Sequence, residues 1–340
     1  MFFHKILVLL LIIISISSYA GDNKVGVLYS EKMLAHDTGK GHPEKPERIK
    51  SAAKAIKENS ALSKKLTWLD TKEASDDELS LVHSEDYIKL VRAEINRLKD
   101  GQHTSLSTGD VIISKGSYEG SRIAVGAGIK GVDHIMANDI TSAFALVRPP
   151  GHHATADRGM GFCIFNNVAV TARYVQKKYG LKRVLIVDFD VHHGNGTQDI
   201  FYSDGSVFYF SVHQHPFYPG TGRSNEVGSG EGKGTTLNVE LPEGSGDDLL
   251  IQAFENELSP AMAKFNPDFI LVSSGFDGHK NDLLGGLSYS VEGYKSVATI
   301  LNGVAKKYAD GRIMYMLEGG YTQSNVNQSV IAILEVLTKN

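Results

Sequence analysis

An α/β fold with a mostly parallel central sheet and helices on both faces is predicted by three features of the sequence. Apolar, strand-like runs alternate with helix-like runs from residue 140 onward, the pattern of a chain that lays a helix across the sheet between successive parallel strands. Four of the apolar runs end abruptly in charged or imidazole side chains, and open parallel sheets carry their ligand sites at the carboxyl ends of the strands. The composition, 41% hydrophobic and 22% charged over 340 residues, supplies enough apolar side chains for one large core. No Pro-rich linker, repeat or low-complexity tract divides the chain, so a single domain is expected.

Taken in order, Val25–Leu28 reads as an early strand, and residues 46–100 and 115–137 read as mainly helical. The run 143–147 is apolar and short, as a buried strand is; 167–178 follows with helical periodicity. Strands are then expected at 183–190, 207–213, 235–241, 269–275 and 312–317, and helices at 247–264, 291–308 and 325–338.

The first twenty residues read as a leader rather than as part of the fold. Lys5 supplies a positive charge, Ile6 to Ile14 is unbroken aliphatic, and Ser18-Tyr19-Ala20 offers small residues where a signal peptidase reads. The apolar run is shorter than the ~20 residues that span a bilayer. Cleavage after Ala20 and export to a periplasm or the cell exterior are therefore expected, with residues 21–340 forming the domain and no stable membrane insertion afterwards. Loss of Lys5 takes the net charge from −4 to −5, which gives no general attraction for nucleic acid or anionic membrane. Cys163 is the sole cysteine, so an exported chain has no internal disulfide.

Residues 183–198 carry the most chemistry. The apolar run Val184 to Val187 ends in Asp188, Asp190, His192 and His193. Such groups are costly to desolvate at the end of a core strand unless something pairs with them, and a metal ion pairs with both types. Side chains alternate along an extended chain, so Asp188, Asp190 and His192 share a face, and Asp190 and His192 can reach one cation together. Asp277, after the run 269–275, is the leading third ligand; its ordinary alternative is a turn or helix-capping aspartate. Two carboxylates and one imidazole leave coordination positions open, as catalytic rather than structural sites do. Such a set suits Zn²⁺, and Fe²⁺ or Mn²⁺ less clearly.

His152 and His153 follow Arg148-Pro149-Pro150-Gly151, and Tyr321 follows Leu317-Glu318-Gly319-Gly320. All stand at the same sheet edge if the strands are parallel. In isolation each has a plainer reading, as a core or surface histidine and a core tyrosine. Together with the acidic cluster they fit another arrangement. Asp188, not needed as a ligand, would hold one histidine ring and Asn195 the other. The carboxylate raises basicity more than the amide does, which separates the roles of the two rings. The set describes metal-assisted amide hydrolysis: an activated water, a histidine that takes and returns its proton, and a tyrosine that donates to the developing oxyanion. No Ser-His-Asp elbow is present, and Cys163 is flanked by bulky apolar residues, which argues against a covalent nucleophile.

On these motifs the chain resembles the zinc-dependent histone deacetylase family, of the class II and bacterial deacetylase-like amidohydrolase type, with acetylpolyamine amidohydrolases as relatives. The matching segments are His36 to Gly39, His42 to Arg48, Arg148 to Ala154, Gly161 to Asn167, Asp188 to Gln198, Gly275 to Asp277 and Leu317 to Tyr321, in order and spacing. The resemblance implies an arginase–deacetylase fold and one Zn²⁺ per chain on Asp190, His192 and Asp277. It implies His153 as general base and acid with Asn195 behind it, His152 with Asp188 in an electrostatic role, and Tyr321 on the acyl carbonyl. It places Gly161, Phe162 and Tyr218 in a channel for an acylated amine, and Asp110, more loosely, at its rim. Structural K⁺ is implied on Asp188, Asp190, His192, Ser211 and Val212, with a second ion near Phe201, Asp204 and Val207. Leu284 stands near where polyamine-selective relatives carry an acidic gatekeeper. The implied substrate is an acetylated lysine peptide or a small acetylated amine; the alternatives are acetylpolyamine deacetylation and an inactive module that binds acetylated ligands. A two-metal, arginase-like ureohydrolase is a more distant alternative, since Asp190-Val191-His192-His193 lacks further acidic ligands.

Overall fold

The protein's structure is a computed structural model that describes residues 24–339. The leader and its processing site, expected at residues 1–20, lie outside the described residues. Ten strands occur among the described residues: β1 (Val25–Leu28), β2 (Leu66–Leu69), β3 (Thr104–Ser105), β4 (Ile112–Ile113), β5 (Ser142–Ala145), β6 (Val184–Asp188), β7 (Val207–Gln214), β8 (Thr236–Leu241), β9 (Phe269–Ser274) and β10 (Ile313–Leu317). Eight form one sheet in the order β2-β1-β5-β10-β9-β6-β7-β8, and every pairing within it is parallel. β3 and β4 make a separate antiparallel ribbon.

Side-chain alternation along β10 shows why both faces need helices. Tyr315 stacks on Phe144 of β5 at 5.9 Å. Phe144 stacks on Phe276, which meets Tyr294 of the helix Val291–Tyr308 at 5.1 Å. Met314 and Met316 point to the opposite face, where they press on Gly131 and Gly128 of the helix Ser117–Met136. The strands β5, β6, β9 and β10 are buried throughout, which is why they read as unbroken apolar runs rather than as alternating ones.

Three elements differ from the sequence reading. Residues 46–100 are helical at Glu47–Glu58, Ser60–Ser63, Asp76–Leu79 and Glu85–Asn96, but they also contain β2. β2 is only four residues long, sits at the sheet edge and stays partly exposed, so it carries neither a long apolar run nor a clean alternation. The helix expected at 247–264 is Asp247–Gln252 and Ser259–Phe265 joined by a π-helical turn, Ala253–Leu258. Pro260 has no amide to donate, and the wider turn precedes it. β6 stops at Asp188, so Asp190 and His192 lie on the bend beyond the strand and not within it. No helix among the described residues is long and apolar enough to cross a membrane.

The order β5-β10-β9-β6 sets the position of the site. β5 and β6 are consecutive in the chain, yet two later strands are inserted between them. Because all four run the same way, residues 148–153, 188–193, 277 and 318–321 emerge at one edge, around the gap that β9 and β10 fill.

Candidate active site

Asp190, His192 and Asp277 converge, with one donor atom of each lying within 4.8 Å of the others. His192 Nδ1 is 3.0 Å from Asp190 Oδ1 and 3.2 Å from Asp277 Oδ2. Each carboxylate is aimed by a backbone amide. Gly319 N–H donates to Asp190 Oδ2 at 2.8 Å, and Val191 N–H donates to Asp277 Oδ1 at 2.9 Å. Gly319 comes so close that a Cβ there would lie 2.6 Å from Asp190 Oδ2 and closer still to Asp277, so only glycine fits.

Both carboxylates are buried. Asp277 Oδ2 has no aligned hydrogen-bond donor despite the nearby His192 ring. Burial and then the charge of Asp190 push the Asp277 carboxyl above its usual range, the signature of two buried anions with too little positive charge between them. A divalent cation on these three side chains relieves that repulsion and takes up the orphaned oxygen. The donor set therefore fits Zn²⁺ with open coordination positions.

The two histidines behind this cluster are held differently. His152 Nδ1 lies 3.0 Å from Asp188 Oδ2, and a carboxylate only accepts, so Nδ1 donates. Burial draws His152 down, but Asp188 and then Asp190 outweigh it and lift its pKa to about 10. His153 Nδ1 lies 2.8 Å from the Asn195 side-chain oxygen. Burial, followed by the charges of His152 and His192, holds His153 well below its ordinary range. The rings are 4.0 Å apart, yet one favours the imidazolium and the other the neutral imidazole.

A cavity of about 230 Å³ opens onto these groups. Gly161, Phe162, Tyr218, Leu284, His153, His192 and Tyr321 all line it, as do Phe217 and Asp110. Phe162 adopts φ +68°, a backbone conformation costly for a bulky residue, and it presents its ring edge-on to Tyr321 at 6.0 Å. Tyr321 is buried, and burial and then the Asp277 charge push its phenol well above the ordinary range, so it remains a donor. Arg48 lies over its ring at 5.0 Å.

The residues implied for K⁺ fall in two groups. Asp188 and Ser211 face each other in the β6–β7 register, with Val212 next in the strand. Phe201, Asp204 and Val207 span the turn before β7, where Asp204 already pairs with Arg173 and caps the Ser206 amide at 2.8 Å.

Several supporting residues had no role in the sequence reading. Glu318 Oε2 accepts the N–H groups of Gly151 and His152 at 2.7 and 3.2 Å, tying β10 to the histidine loop. Glu44 accepts two hydrogen bonds from Arg148, at 2.9 and 2.8 Å, and one from Arg48 at 3.1 Å, all fully buried. Arg48 continues to the Gly320 carbonyl at 2.6 Å. Asp282 caps the amides of Tyr321 and Thr322 at 2.8 and 2.9 Å. The one hint in the sequence is the i, i+4 spacing of Glu44 and Arg48; Asp282 is about forty residues from its partners, and the others are more than a hundred residues apart.

Fold and site together define an amide hydrolase of arginase–deacetylase architecture. Residues 42–337 match the histone deacetylase domain, and the chain belongs to the histone deacetylase family, whose reaction is the hydrolysis of acetyl amides. It is 41% identical over 315 residues to the chloroplastic histone deacetylase 10 of Oryza sativa subsp. japonica, covering 89% of this chain and 71% of that one. It is 35% identical over 298 residues to a probable deacetylase of Archaeoglobus fulgidus, covering 87% and 81%. The crystal structure of the HDA15 HD domain superposes with a TM-score of 0.86 at 35% identity, covering 93% of this chain and 90% of that one.

Proposed function

We propose that the chain is a zinc-dependent amidohydrolase that removes acetyl groups from lysine side chains or related primary-amine amides. The observation that carries this reading is the orphaned Asp277 oxygen facing Asp190 and His192 at the wall of a cavity that also holds His153 and Tyr321. Bound Zn²⁺ supplies Lewis acidity toward the amide carbonyl and a water of lowered pKa.

The chain's own groups do the rest. His153, its Nδ1 committed to Asn195, has Nε2 free to take the water proton and return it to the departing amine. His152, kept cationic by Asp188, favours negative charge at the reacting centre. The Tyr321 hydroxyl donates to the carbonyl oxygen as charge builds there. Phe162 and Tyr218 wall a slot suited to an aliphatic chain with an amide at its tip.

Leu284 lines the cavity and brings no charge to it. The position therefore lacks an acidic gatekeeper for a polycation, which sets acetyl-lysine or a simple acylated amine ahead of acetylpolyamine. K⁺ on the two groups of residues named above, and export after cleavage at Ala20, are further parts of the proposal. The deciding experiment is an acyl-substrate panel on the purified protein with a chelator control and metal readdition. Turnover that survives complete metal removal overturns the zinc reading, and ligand binding without turnover by the metal-loaded protein supports the inactive binding module instead.

A further inference from the structure

One carboxylate joins both aromatic walls of the cavity. Asp110 Oδ1 accepts the Gly161 N–H at 2.8 Å, and Gly161 leads directly into Phe162, the first wall. The same carboxylate accepts the Tyr218 hydroxyl, at 3.2 Å to Oδ2 and 3.4 Å to Oδ1, and Tyr218 is the second wall. Tyr218 is 37% exposed while Tyr321 is 5% exposed, so this join lies at the mouth and not at the floor. The inner part of the Tyr218 ring is fixed separately, perpendicular to His153 at 5.2 Å. Outward movement of the Tyr218 ring widens the mouth, and that motion breaks a hydrogen bond to a charged acceptor. A phenylalanine at this position would form the same wall without the join.

We propose that the Tyr218 hydroxyl is a specificity-determining group. By pinning the second wall to Asp110 it holds the mouth narrow, so slim, unbranched acylated amines enter more readily than acyl-lysine borne on a peptide backbone. This rests on the amidohydrolase reading above.

The test compares wild type with Tyr218→Phe, as metal-loaded full chains, on an acetyl-lysine peptide and on N-pentylacetamide. The ratio of kcat/KM for the peptide over that for the small amide is expected to rise about three- to ten-fold, the effect of freeing one partly exposed hydrogen bond to a charged group, and the change is carried by the peptide KM. An unchanged or lowered ratio, or a rise carried by kcat, overturns the proposal. Tyr218→Leu, which removes ring and hydroxyl together, repeats the measurement if Tyr218→Phe folds poorly, with the same criteria. A wild-type protein that turns over neither substrate sinks the amidohydrolase reading itself, a result distinct from a wild type that works and a variant that keeps its ratio.

Discussion

Glu318, at the end of β10, holds the backbone of His152 from across the sheet: one of its carboxylate oxygens accepts the His152 amide and the neighbouring Gly151 amide together. Its other oxygen takes the Ser273 hydroxyl of β9 at 2.9 Å. A single buried carboxylate thus sets the spacing between the histidine loop and the two strands that carry Asp277 and Tyr321. Glu318→Ala leaves two buried amides without an acceptor, at about 1–3 kcal/mol each. We expect a lower melting temperature and a kcat reduced by roughly one to two orders of magnitude through misplacement of His152. Glu318→Gln keeps an acceptor and recovers most of both. Equal behaviour of the two variants in calorimetry and kinetics contradicts the positioning role.

Tyr321→Phe removes one hydroxyl from a buried ring that Arg48 and Phe162 already hold. Turnover is expected to fall by roughly two to three orders of magnitude, as for loss of a single oxyanion donor, while bound metal stays constant. Undiminished kcat in the variant refutes the assignment.

Asp190→Ala takes away one of the two carboxylates proposed as metal ligands and, with it, the acceptor for Gly319 N–H. The purified variant is expected to hold little zinc by elemental analysis and to show no turnover. Full metal occupancy shows that the ion sits elsewhere.

His83 lies away from the site, buried, with Nε2 accepting the Asn166 amide at 2.9 Å. Burial holds its imidazole down to about 4, from an ordinary 6.5. The folded protein keeps His83 neutral while the unfolded chain takes up a proton below 6.5, so between these values the unfolded state binds more protons. The contribution is fully present above pH 6.5 and is lost as the pH falls toward 4, by up to about 3 kcal/mol. His83→Gln retains an acceptor and removes the titration. Its denaturation midpoints are expected to decline less steeply with acid than those of wild type; parallel curves contradict the assignment.

The active-site constellation was legible in the sequence because its members interrupt long apolar runs. Asp188 ends β6, Asp190 and His192 follow on the bend just beyond it, and Tyr321 follows β10 by a few residues, so alternation of apolar runs and the parallel-sheet rule bring them to one edge without any knowledge of partners. Glu44, Arg148 and Glu318 were not legible in the same way. Their roles depend on which buried amide or guanidinium they meet, and those partners come from remote parts of the chain. β2 escaped for a different reason: a short, half-exposed edge strand has little periodicity to read.

Insertion of β9 and β10 between β5 and β6 has a consequence for how the molecule comes into being. Residues 1–200 contain both histidines of the pair and two of the three proposed metal ligands, but β5 and β6 are not neighbours and cannot bring these groups together by themselves. Asp277 follows β9, and Tyr321 follows β10, the last strand among the described residues. A chain that ends before β10 therefore lacks both Tyr321 and the strand that joins β5 to β9, and on the proposed reading it has no complete catalytic site.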